Sequence, residues 1–215
     1  HVIKVVVARG GAQVVHTAAE AFAWSFAGLP GLTRTLLLST FECVDPKNRG
    51  TVGLVDAGLA RLAANGEADV VVELIDRLVS SKECQLTLNA LDGFICEILK
   101  PPCGKLLNRL VTRWLVTGNS EACRVISDAI ARQGRTTQTV AVDPQEIAAL
   151  DSMGLVRLAR KAIGYLFMSP ITTSSVLISI MDHVSDDRHC RVAVLRGSHQ
   201  LSGHSGILKD MLHEG

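Results

Sequence analysis

Aromatic residues and long apolar runs are what this sequence has least of. Only 4% of its 215 residues are aromatic, and a single one is tyrosine. A core must therefore be built from Leu, Ile, Val and Ala, which suit closely packed helices. No run approaches the roughly 18 apolar residues of a membrane span, so we expect no membrane partner. The net charge of +1 gives no overall field that would attract nucleic acid.

Cysteine pairs of the kind that bind metals are also missing. The six cysteines include no Cys-x-x-Cys motif, and disulfide frameworks belong to short secreted chains. Four of the six lie in or beside apolar helical patterns, namely Cys43, Cys84, Cys96 and Cys123. We interpret the cysteines as reduced thiols. We expect an intracellular protein, cytoplasmic or nuclear, with no metal and no cofactor.

The amino-terminal segment bears on whether the chain is part of a larger polypeptide. The sequence has no initiator Met, and its first residues do not resemble a signal peptide. Residues 2–7 are strongly apolar, whereas a terminal helical repeat normally presents a polar outer face. We therefore expect a fragment whose apolar end packs on its own first hairpin, on a second copy of the chain, or on an upstream domain.

Helical periodicity broken by Gly and Pro runs through the chain. In residues 68–80, apolar side chains recur at the i, i+3, i+4 and i+7 spacing of an amphipathic helix. Helices are predicted at 14–27, 32–41, 52–64, 68–80, 85–99, 105–116, 119–133, 143–151, 154–168, 172–183 and from 186 onward. The only credible strands are 2–7 and 139–142. Residues 134–142 form a β-prone or loop insertion that would project from one face of the stack.

The predicted helices repeat as hairpins. The first helix of each hairpin begins near residues 14, 52, 85, 119, 154 and 187, and a spacing of about 35 residues is typical of helix–turn–helix repeats. The sequence thus predicts an all-α fold, a right-handed α-solenoid of roughly five to six stacked hairpins over residues 1–196. Residues 197–215 would be a flexible or short-helical tail. The alternative is an irregular helical bundle.

This pattern resembles the HEAT and armadillo superfamily in architecture. The resemblance implies a curved scaffold with an extended binding surface, and it supplies no catalytic residues. Because single hairpins cannot bury their apolar faces, neighbouring hairpins must stack. We expect these side chains to be buried: Leu74, Ile75, Leu78, Leu107, Leu110, Leu177 and Ile180.

The most distinctive polar feature is a row of basic residues. Lys105, Arg109 and Arg113 share one helix face at i, i+4 and i+8, and no acid lies between Glu97 and Glu121. Stacked repeats would extend this row into a basic ridge with Arg124, Arg157, Arg160 and Lys161. Such a ridge binds phosphates or an acidic peptide. The alternative is a solvated face whose acids come from neighbouring helices.

Histidines are concentrated at the other end of the chain. Five of the seven follow residue 182, but a zinc site needs four converging ligands, and closely spaced ligand pairs are missing. We expect a protein-interaction scaffold or regulatory helical-repeat domain with a protein partner, not an enzyme. The first alternative is a nucleic-acid-binding module that uses the basic ridge. The second is a small helical enzyme with a site in the histidine-rich segment.

Overall fold

A computed structural model describes residues 29–41, 46–80, 86–132, 140–165, 170–184 and 188–198. These residues form ten α-helices and two short 3-10 helices, and no strand occurs among them. The all-α prediction is confirmed for this part of the chain. The predicted helix at 14–27, the apolar segment 2–7 and residues 199–215 lie outside the described residues.

The chain divides into two compact units, residues 1–103 and 104–215. The helices of the first unit are α1 (Pro30–Phe41), α2 (Arg49–Ala64), α3 (Ala68–Ser80) and α4 (Asp92–Ile98). Those of the second are α5 (Gly104–Thr117), α6 (Ser120–Arg132), α7 (Pro144–Ile147), α8 (Ser152–Tyr165), α9 (Pro170–His183) and α10 (Arg188–Ser198). None of the described helices is long and apolar enough to cross a membrane.

In the first unit, α2 packs against α1, α3 and α4. Gly58 lets α1 approach α2 closely, because a Cβ atom at this position would come 2.9 Å from Cδ2 of Leu37. Leu37 is fully buried, as are Leu74 and Ile75 of the apolar stripe on α3. All seven stripe residues predicted to be buried are at most 2% exposed, which confirms that prediction.

The helix predicted over residues 85–99 is shorter than expected. Residues Leu88–Ala90 form a 3-10 turn, Leu91 has φ −107° and ψ 59°, and α4 begins only at Asp92. A side chain from another helix fixes this start, because the Asp56 carboxylate of α2 accepts hydrogen bonds from the backbone N–H groups of Gly93 and Phe94. A helix N-terminus needs such acceptors for its unpaired N–H groups.

In the second unit, α8 packs against α5, α6, α9 and α10. Three predicted helix ends agree with the structure, whereas the helix predicted to run to residue 151 ends at Ile147 and the one predicted from residue 154 begins at Ser152. Gly118 (φ 80°) ends α5, the Asn119 side chain caps α6 through the N–H of Ala122, and Asp143 caps α7 through the N–H of Gln145. These are ordinary roles of Gly at a helix end and of Asn and Asp at a helix start.

The segment before α7 is neither a strand nor a projecting insertion in its described part. Val140 and Val142 are buried. The backbone N–H groups of this segment bond to side chains: that of Ala141 to Asn108, that of Val142 to Ser179, and that of Asp143 to Thr112. Oxygens of α5 and α9 thus take the place of a partner strand. Residues 133–139 lie outside the described residues.

Candidate binding site

All seven residues of the predicted basic ridge lie in the second unit, but most of them have local partners. On α5, Nε of Arg109 and Nη1 of Arg113 each lie 3.0 Å from an oxygen of Glu146, which stands on α7. Glu146 is largely buried, at 13% side-chain exposure. A neighbouring helix therefore supplies the acid that the sequence around α5 lacks, and only Lys105 of this face remains without a counter-ion among the described residues.

Three other ridge residues also serve nearby groups. Lys161 Nζ donates to the carbonyl of Val116 at 3.1 Å, near the end of α5, where a cation complements the helix dipole. Arg124 forms an exposed pair with Asp128 one turn along α6. The Arg157 side chain donates to the carbonyl of Met153 in its own helix. These contacts therefore do not leave a continuous ridge of available cations among the described residues.

Arg160, the seventh residue, lies in a cleft between α8 and α10. The cleft has a volume of about 720 Å³ and is lined by Arg160, Arg188, His189, Val192, Ala193 and Arg196. No acidic residue is among the described residues that line it. Over the described part of the chain, none of the three arginines forms an ion pair. His189 has an interaction of its own.

The two helices that build this cleft carry charge of one sign only. Helix α8 contains Arg157, Arg160 and Lys161, and α10 contains Arg188, Arg191 and Arg196, with no acid in either helix. They nevertheless pack against each other. Clefts lined by one sign of charge concentrate field lines and attract the opposite charge. The arrangement therefore provides a place for an anionic group.

Local packing explains why these side chains reach the cleft. Cys190 and Val194 of α10 are buried, whereas Arg188, Val192 and Arg196 follow one another at four-residue intervals on another side of the helix. Arg188 stands in the first turn of α10, which contains no acid. A cation at this end of a helix is disfavoured by the helix dipole. Helix stability therefore does not explain Arg188.

A second cleft of about 500 Å³ lies along another side of α8. Its lining includes Arg157 and Lys161, but also Asp151. The Asp151 carboxylate accepts from the N–H of Gly154, and Lys161 is bonded to Val116 as described above. Because its charges are mixed and already engaged, this cleft is a weaker anion site than that of Arg160, Arg188 and Arg196.

The enzyme alternative would need a reactive histidine, a nucleophile or a metal site. His183 Nδ1 lies 2.7 Å from the carbonyl of Ser179 in its own helix. Burial raises the pKa of the Cys123 thiol to about 12, which makes it a poor nucleophile. No group of three or more metal-ligating side chains occurs in the described ranges. His199, His204 and His213 lie outside those ranges.

Arg188 and Arg196 were not among the predicted site residues, because the predictions for this region rested on its histidines. These two arginines share one helix face at i and i+8, but Val192 occupies i+4, so the unbroken basic row of α5 has no counterpart here. The helix was predicted from residue 186 onward and so included Asp186 and Asp187, whereas α10 begins at Arg188 and contains no acid. Comparison with protein families, with curated proteins and with solved structures gives no match.

Proposed function

We propose that the chain is a non-catalytic protein-interaction module whose second unit binds an acidic segment of a protein partner. The observation that carries this proposal is the convergence of Arg160, Arg188 and Arg196, from two helices, on a cleft with no acid among its described lining residues. Because the three guanidinium groups are exposed, each ion pair with a partner carboxylate contributes up to about 1 kcal/mol, and binding depends on the three acting together.

The architecture that we propose for the module is a stack of helical hairpins, as in the HEAT and armadillo proteins that the sequence spacing resembles. Packing between next-but-one helices supports it. In the first unit α1 packs against α3 and α2 against α4, and in the second unit α5 packs against α7 and α8 against α10. Successive hairpins of a solenoid make this kind of contact, because equivalent helices of neighbouring repeats lie side by side.

A protein partner is favoured over nucleic acid for two reasons. Glu146 neutralises the part of α5 on which an extended phosphate-binding ridge would depend, and the whole chain has a net charge of only +1. The remaining cationic site is short and has Val192 and Ala193 in its lining. Apolar groups at the centre of a site with charges at the rim are typical of protein interfaces.

Charge reversal tests this proposal. The variant Arg188→Glu/Arg196→Glu is compared with Lys105→Glu/Arg124→Glu, which makes the same charge change elsewhere in the second unit. Binding of a heptaglutamate peptide and of a single-stranded heptathymidylate is titrated at several salt concentrations, and circular dichroism verifies folding.

We expect the cleft variant to bind heptaglutamate at least about tenfold more weakly than wild type, or about 1.4 kcal/mol, and the control variant to bind within about twofold of it. Equal loss in both variants would mean that binding reflects net charge and not this cleft. If heptathymidylate binds more tightly than heptaglutamate and with a steep salt dependence, the nucleic-acid alternative is correct.

A further inference from the structure

We propose that the cleft between α8 and α10 selects an extended segment in which an acidic, an apolar and a second acidic side chain occupy alternate positions. This inference rests on the proposed function, because it specifies the partner chemistry of the same site. It comes from the order of side chains along α10, where Arg188, Val192 and Arg196 all line the cleft.

The spacing of the side chains on α10 matches that of an extended chain. Arg188 and Arg196 are eight residues apart in one helix, and a rise of 1.5 Å per residue separates their Cα atoms by about 12 Å. An extended chain rises about 3.3 Å per residue and directs every second side chain to the same side. Its residues n, n+2 and n+4 therefore span about 13 Å, which fits the row on α10.

The centre of the row on α10 is apolar. Val192 is 37% exposed between the two arginines, and Ala193 lies beside it in the cleft. An apolar side chain at position n+2 would cover Val192, and burying apolar surface contributes about 25 cal/mol per Å². A polyanion that presents only charges along its backbone leaves this surface exposed. Val192 therefore allows the site to discriminate among acidic segments.

The opposite wall of the cleft adds a further cation. Arg160 then faces the segment from α8 and adds a third cation to the two on α10. The acidic segment thus lies between two positively charged helices and reduces the electrostatic repulsion between them.

Three peptides test the motif. The first carries Glu-Ser-Leu-Ser-Glu between Gly-Ser flanks, the second has the same composition in the order Glu-Glu-Leu-Ser-Ser, and the third is the first with its leucine replaced by serine. We expect wild type to bind the first about tenfold more tightly than either of the others, or about 1.4 kcal/mol. Arg188→Gln and Arg196→Gln should each abolish this preference. Arg124→Gln, a control on α6 outside the cleft, should retain it.

A charge swap tests the pairing itself. The variant Arg196→Glu should recover binding with only one of two swapped peptides, Lys-Ser-Leu-Ser-Glu or Glu-Ser-Leu-Ser-Lys, and the one that binds gives the direction of the segment. If wild type binds the two order isomers equally, the motif is wrong while the anionic site remains. If wild type binds no acidic peptide better than Arg188→Glu/Arg196→Glu does, the site itself is wrong. Tighter binding of pentathymidylate than of the motif peptide would overturn a protein segment as the occupant.

Discussion

Nε of Arg109 lies 3.0 Å from Oε1 of Glu146, across the contact between α5 and α7. The second carboxylate oxygen of Glu146 accepts from Arg113 at the same distance. One largely buried carboxylate thus holds two cations of the same helix face. Through this contact, the basic row that is most conspicuous in the sequence connects α5 to α7. The cleft of Arg160, Arg188 and Arg196 is therefore the better candidate binding site.

Replacing Glu146 should destabilise the second unit. We expect Glu146→Ala to lower the free energy of unfolding by about 1–3 kcal/mol, because it removes charged hydrogen bonds from two partly buried guanidinium groups. Asp128→Ala is the control, since Asp128 belongs to an exposed pair with Arg124. Its cost should stay below about 1 kcal/mol. Urea unfolding measures both, and equal costs would show that Glu146 has no special structural role.

The cap that Asp56 provides for α4 predicts that the effect of Gly93→Ala on stability changes sign when the Asp56 carboxylate is removed. A Cβ atom at Gly93 would come 2.8 Å from Oδ2 of Asp56, and its three nearest neighbouring atoms all belong to Asp56. Gly93→Ala should therefore be destabilising in wild type, where it displaces a cap that contributes about 0.5–2 kcal/mol. In the Asp56→Ala background the same change should be stabilising by up to about 1 kcal/mol, because Ala favours helix over Gly. A double-mutant cycle from denaturant unfolding checks this, and additive effects would contradict the cap.

The hydrogen bond from the N–H of Asp143 to Thr112 can be tested by making the same Thr→Val substitution at two positions of α5. Thr112 is fully buried, and its Oγ1 accepts from Asp143 at 2.8 Å. Thr112→Val leaves that N–H without its acceptor, which should cost about 1–3 kcal/mol. Thr117→Val is the control, because the exposed Thr117 hydroxyl bonds only to carbonyls of its own helix. Similar thermal midpoints for the two variants would argue against the role of Thr112 in holding this segment.

The ion pair of Arg34 and Glu73 in the first unit predicts a pH dependence. The hydrogen bond from Arg34 lowers the pKa of the Glu73 carboxyl, and the nearby charges of Arg34 and Arg77 act in the same direction against a raising effect of burial. Because the pKa of Glu73 is lower in the folded state than in the unfolded state, the ion pair stabilises the fold at pH values above the unfolded-state pKa. This stabilisation is lost as the pH falls through the folded-state pKa. Arg34→Gln should move the pKa of Glu73 upward in a side-chain carboxyl NMR titration, while an Arg124→Gln control should leave it in place.

The parts of the fold that depend on neighbouring residues could be predicted from the sequence. The caps at Asn119 and Asp143, the end of α5 at Gly118 and the buried stripe on α3 all follow from patterns within a few turns of chain. Contacts between distant residues could not be predicted in this way. Asp56 fixes the start of α4 from 37 residues away, and the helix propensity of residues 85–91 does not indicate this contact.

The candidate site could be predicted only in part. Arg160 was among the expected residues, but the partners of Arg109, Arg113 and Lys161 are set by tertiary contacts 33 to 45 residues distant in the chain. Charge counted along the sequence cannot show which acid will reach a given cation. Arg188 and Arg196 lie at i and i+8, but Val192 at i+4 interrupts the basic row, so the pattern that marked α5 did not indicate them.

The central claim is that three arginines of α8 and α10 act as one anion site. Arginine side-chain NMR tests this claim most directly. The Nε–Hε resonances are followed while heptaglutamate is added, and single Arg→Lys variants assign them. We predict that Arg160, Arg188 and Arg196 shift together and fit one dissociation constant, whereas Arg109, Arg113 and Arg124, each beside a carboxylate, shift little. Similar shifts at all arginines, or no shift at the three cleft residues, would contradict the claim.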